Sequence, residues 1–93
     1  MDITVTLPSQ LDDYTGAQRH LVLSLPVNTV TLAGVLDALE SKFPGLRFRV
    51  VDEHQRIRRH IAMFVGETLV HDLTVPVPDG GRIQIVGALS GGC

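Results

Sequence analysis

Five residues near the end of the chain, Leu89-Ser90-Gly91-Gly92-Cys93, combine the features most open to chemistry. Gly91 and Gly92 have no side chain to bury, and glycine loses more backbone freedom on ordering than any other residue. A folded core has little use for such a pair, so the segment is either slack or the working end of the molecule. Cys93 is the single cysteine. Without a second thiol it can form no internal disulfide, which leaves an intermolecular disulfide, metal ligation or direct reactivity open to it. No prenylation signal follows it.

The other candidates are weaker. His20, His54, His60 and His71 have no metal-ligand spacing and read as solvated surface residues. No Ser-His-Asp order or nucleophile elbow is present. Asp79-Gly80-Gly81 is a turn, because a phosphate loop needs a longer glycine pattern leading into a helix. Arg47, Arg49, Arg56, Arg58 and Arg59 crowd one region. They read either as a soluble face balanced by Asp52 and Glu53 or as a docking patch for an acidic partner. The interleaved aromatics that stack RNA bases are missing. The chain is therefore expected to have no catalytic residue, no metal site and no bound cofactor.

The bulk composition agrees with a small, non-enzymatic protein. Ninety-three residues, 44% of them hydrophobic, suit one thinly stabilised domain. A net charge of -2 points away from a general nucleic-acid binder. The start, MDITVTLPSQ, has neither a basic cluster nor a long apolar run. No stretch approaches the ~18 apolar residues of a membrane span. A cytoplasmic protein without membrane or nucleic-acid partners is expected.

The elements that would position the tail follow from hydrophobic periods. Asp2 to Leu7 alternates as a strand and stops at Pro8; after a polar loop, His20 to Leu25 alternates again. Leu32, Val35, Leu36, Leu39 and Phe43 then form one helical stripe, with Thr31 as N-cap and Pro44-Gly45 as the stop. Gly34 inside the helix implies close packing or simple tolerance. Leu46 to Val51 fits a strand and a helix equally. Ile61 to Val65 reads as a central strand, Leu69-Val70 as a brief edge strand, Pro76 to Gly81 as a loop and Arg82 to Val86 as the last strand.

This order predicts an α+β, β-grasp (ubiquitin-like) roll, with a mixed sheet of about four to five strands and one main helix on one face. The first and last strands lie side by side and parallel. The domain spans residues 1–88 and the functional tail 89–93. Ile3, Val5, Leu23, Leu32, Leu36, Leu39, Ile83 and Ile85 form the expected core.

The stretch from Asp79 to Gly92, together with Phe43-Pro44-Gly45-Leu46 and Met63 to Glu67, resembles ThiS/MoaD-type ubiquitin-like sulfur carriers over most of the chain. Gly81, Gly66 and Gly87 depart from residues common in that family. Cys93 departs most, since the family ends on its second glycine. The resemblance implies that an adenylating enzyme uses ATP to activate the Gly92 carboxylate. A sulfur donor then turns it into a thiocarboxylate, which passes to a sulfur-accepting biosynthetic enzyme. Ala88, Leu89, Ser90 and Gly91 would thread into the partner; Leu89 to Gly92 extend to roughly 13 Å at ~3.3 Å per residue. Cys93 would first be removed, with a processing metalloprotease as the candidate. The sheet face opposite the helix, carrying Val22, Phe64 and Val86, is the expected docking face. A protein modifier joined to lysines through Gly92, and a β-grasp interaction module with an inert tail, are the alternatives.

Overall fold

The computed structural model describes residues 1–87. The expected tail and the 88/89 domain boundary lie outside the described residues. The elements in chain order are β1 (Asp2–Thr6), a 3-10 turn (Ser9–Leu11), α1 (Asp12–Thr15), β2 (His20–Ser24), β3 (Val30–Thr31), α2 (Leu32–Lys42), α3 (Leu46–Val50), β4 (Ile61–Val65), β5 (Thr68–Val70), β6 (Pro76–Val77) and β7 (Arg82–Gly87).

Five strands form one mixed sheet in the order β2-β1-β7-β4-β5. β1 and β7 run parallel, pairing Val5 with Ile83, and every other pairing is antiparallel. The period-2 alternation puts Ile3, Val5, Leu23, Ile61, Met63, Ile83 and Ile85 on one face, all buried. The buried stripe of α2, Leu32, Val35, Leu36 and Leu39, covers that face. All eight residues expected in the core are buried.

Thr31 caps α2, its Oγ1 accepting from the Gly34 amide at 3.3 Å. Gly34 itself is a packing residue. A Cβ there would stand 2.6 Å from Cγ2 of Val30, so a side chain would force Val30 out of its present packing. The α2–α3 corner is tied by Glu40, whose carboxylate accepts the amides of Gly45 at 2.8 Å and Arg47 at 2.9 Å. Those hydrogen bonds, led by Gly45, hold its carboxyl below the usual glutamate range.

One segment that the sequence left open is settled, and two others differ from the expectation. Leu46–Val50 is helical: Leu46 and Val50 are fully buried four residues apart, while Phe48, which an alternating strand would bury with them, is 57% exposed. The polar loop before β2 contains a 3-10 turn and one turn of helix. It buries Leu11 and is fastened by a two-pronged Arg19–Asp12 ion pair, with hydrogen bonds of 2.6 and 3.1 Å. The proline-rich loop pairs briefly as β6 with β3, Val77 opposite Val30. Pro76 donates no backbone hydrogen bond, but it sits in a two-residue strand of a two-stranded sheet, where that loss is tolerated.

Candidate functional site

The site is the root of the tail, and β7 builds it. The turn before β7 is clamped to β1: the Asp2 amide donates to Asp79 Oδ1 at 2.9 Å, and the Gly80 amide donates to the Asp2 carbonyl at 2.9 Å. From there β7 runs through the middle of the sheet, between β1 and β4. Ile83 and Ile85 anchor it in the core. Its last described residue, Gly87, pairs with Ile61 at the start of β4. The strand that leads to Gly91 and Gly92 is thus held on both sides at the centre of the sheet.

The exit beside Gly87 has two borders. On the β1 side is Gln10, whose side-chain amide lies across Gly87, so that a Cβ on residue 87 would collide with it. On the β4 side is the segment Arg58-Arg59-His60, which turns into Ile61 through a hydrogen bond from the Ile61 amide to the Arg58 carbonyl at 2.9 Å. Neither border is evident in the sequence. Gln10 lies 77 positions from Gly87, and only the parallel β1–β7 pairing brings their strands together.

The expected docking residues all lie on the face opposite α2, but not as one patch. Ala62 pairs with Val86, Phe64 with Gln84 and Leu69 with Phe64, so Ala62, Phe64, Leu69 and Val86 gather over β4, β5 and β7. Leu69 is 47% exposed. Val22, 60% exposed, sits two strands away, because Thr4 and then Arg82 follow it across β1 and β7. Ala62 and Leu69 were not singled out in the sequence; cross-strand register is what recruits them.

All four histidines are exposed. Among the described residues no three His, Cys, Asp or Glu side chains come together to hold a metal. No described helix is long and apolar enough to cross a membrane. Ala88, Leu89, Ser90, Gly91, Gly92 and Cys93 lie outside the described residues.

A mixed sheet with parallel first and last strands, one covering helix and a C-terminal segment leaving the central strand defines a ubiquitin-like β-grasp protein. Comparison with known proteins narrows this. The chain is 28% identical over 97 residues to the sulfur carrier protein CysO of Mycobacterium tuberculosis, covering 99% of this chain and 100% of that protein. A crystal structure of the BexX/CysO complex of Amycolatopsis orientalis contains a chain that superposes with a TM-score of 0.83 at 27% identity, covering 96% of this chain and 98% of the other. The fold is shared with SAMP1 of Haloferax volcanii, with a TM-score of 0.80 at 21% identity over 98% and 99% of the two chains. No family model matches the sequence. The chain is homologous to the CysO sulfur carrier proteins.

Proposed function

We propose that this chain is a sulfur carrier that works through Gly92 and is acted on by an ATP-dependent adenylating enzyme. The observation that carries the reading is the placement of β7. A strand locked between β1 and β4 delivers the Gly91-Gly92 segment from a rigid base, and the homologues matched over nearly the whole chain are sulfur carriers.

The chemistry belongs to the partner. Once Cys93 has been removed, the Gly92 carboxylate attacks the α-phosphorus of ATP and pyrophosphate leaves. Sulfide then attacks the acyl carbon, AMP departs, and a thiocarboxylate remains; a persulfide sulfur attacking in its place gives an acyl disulfide, whose S–S bond a thiol must reduce to release the thiocarboxylate. What this chain supplies is reach and a narrow tip. Two glycines without Cβ atoms pass where a side chain would collide, and the domain behind them is the handle that the enzyme grips. The handle also presents itself to a sulfur-accepting enzyme. The related CysO found in a complex with BexX supports the view that such carriers are read by docking.

The test is intact mass spectrometry of the chain ending at Gly92, incubated with the adenylating enzyme, ATP and sulfide. The expected product has gained the mass of one oxygen-to-sulfur exchange. Lysine-linked conjugates in its place would assign the modifier role, and no change in either respect would leave the inert-tail module.

The apolar cluster over β4, β5 and β7 is the surface proposed to meet the enzyme. Val86→Asp puts an unpaired carboxylate in its middle, on a half-buried side chain that faces away from the core. We expect the affinity for the adenylating enzyme to fall at least about tenfold, roughly the 1.4 kcal/mol or more of a central contact, while the circular dichroism spectrum is unchanged. Equal affinity would remove the cluster from the interface.

A further inference from the structure

The charge of the chain is unevenly placed. Residues 46–60 contain five arginines and two acids, whereas the rest of the chain has three basic and eight acidic residues. A protein of net charge -2 therefore has one strongly positive segment. The fold brings that segment to the root of the tail, because residues 58–60 lead into β4 at the end of the sheet where β7 finishes.

The five arginines are not equivalent. Arg47 turns inward, with Nε 2.9 Å from Asp37 Oδ1 but poorly aligned for a hydrogen bond, and a terminal nitrogen donating to Gln55 at 2.7 Å. Arg49 lies over the ring of Tyr14, 6.0 Å from its centre. Arg58 is held flat, its Nε donating to the Phe48 carbonyl at 2.7 Å and its guanidinium 4.5 Å from the centre of the Phe48 ring. Arg56 and Arg59 are exposed and form no ion pair among the described residues. Asp52 lies beside them and keeps one negative charge at the edge of the patch, against the three charges of Arg56, Arg58 and Arg59. Its carboxylate is turned to the backbone, accepting the amides of Arg56 at 3.0 Å and His54 at 2.8 Å.

Arg56, Arg58 and Arg59 line an open groove of about 460 Å³ with Ile57, His60 and the single acid Asp52. Arg58 and Arg59 also border a second groove, which runs to Ala62 and Leu69 on the apolar cluster. A cationic rim thus continues into the proposed docking face.

We propose that Arg56, Arg58 and Arg59 form a docking collar for carboxylates ringing the mouth of the enzyme cleft that receives the tail. This rests on the sulfur-carrier reading. A thin tail must find a narrow opening, and complementary charge around the root of the tail steers that encounter and sets its orientation. Arginine suits this role, since its planar fork grips carboxylates in pairs and sheds water more readily than lysine. Phe48 is the only Phe, Tyr or Trp in the segment and Arg58 already covers it, which favours an acidic protein over a single-stranded nucleic acid needing large ring platforms.

The collar can be tested with a defined probe. Hexaglutamate, titrated into the isotopically labelled chain, should shift amides of residues 56–62 at low salt and release them at high salt. Arg56→Glu with Arg59→Glu should abolish the shifts. Lys42→Glu, on the exposed end of α2, should leave them intact. Shifts scattered over the surface, or persisting in the double variant, would overturn the collar. So would tighter binding of hexauridylate than of hexaglutamate, which would assign the surface to nucleic acid.

A second arm uses chains ending at Gly92 in the sulfur-transfer reaction. The double variant should lose about tenfold in kcat/KM at low salt, with kcat within about twofold of the parent, and the two should converge at high salt. An unchanged kcat/KM overturns the collar as a docking element. If the parent chain is not converted at all, the carrier reading fails, and the collar stands or falls on the peptide titration.

Discussion

The chain with Cys93 attached will keep its starting mass when mixed with the adenylating enzyme, ATP and sulfide, while the chain ending at Gly92 is converted. The difference should be close to all or none. In the longer form the Gly92 carbonyl belongs to a peptide bond. An amide has no carboxylate oxygen to attack the α-phosphorus, and its resonance makes it a poor acyl donor. Any continuation past Gly92 has the same effect, so the expected behaviour of the longer form is that of a precursor awaiting a protease. The comparison needs purified chains of both lengths and intact mass spectrometry with time. If the Cys93 form gains sulfur equally fast and keeps its last residue, the precursor assignment is wrong. The thiol would then need a chemical role of its own, such as attack on the neighbouring carbonyl in an N-to-S acyl shift.

Replacing Ile83 by alanine should cost about 3 kcal/mol of stability, within the usual range for removing a large buried aliphatic. Ile83 is 0% exposed on the central strand, with Val5 opposite it on one side and Val65 on the other. Two flanking strands and the covering helix hold the surroundings in place, so the cavity has little freedom to collapse. For a domain of this size the loss corresponds to a fall of roughly 15 °C in Tm. Gln84→Ala, one residue on and exposed on the outer face, should change stability by less than about 0.5 kcal/mol. Urea unfolding followed by circular dichroism separates the two. A loss below about 1 kcal/mol for Ile83→Ala would mean that the centre of the sheet is not where the stability resides.

The legible part of the fold came from local pattern. Alternation at Ile3, Val5, Leu23, Ile83 and Ile85, and the stripe from Leu32 to Phe43, were readable because burial on one face imposes a period on the sequence. All of those residues are buried. Leu46–Val50 was not readable, since a five-residue segment satisfies both periods. Only the contact with α2 decides that Leu46 and Val50 go inward and Phe48 stays out. The β3–β6 pair was hidden for a related reason: two residues are too few to carry a period, and the paired residues are 45 and 47 positions apart.

The candidate site divides the same way. The glycine pair, the cysteine and the arginine cluster are visible as residue types, and the role proposed for the tail rests on them and on the family that the chain resembles. Their arrangement was not. Only the parallel β1–β7 and antiparallel β4–β7 registers set Gln10 over Gly87 and bring Arg58 and Arg59 to the end of β7. The same registers gather Ala62, Phe64, Leu69 and Val86 and strand Val22 two strands away. Side-chain type and period are properties of a few neighbouring residues, so the sequence by itself determined which faces are buried. Register between strands distant in the chain is chosen by how whole faces fit over one core, and only the tertiary structure decides it.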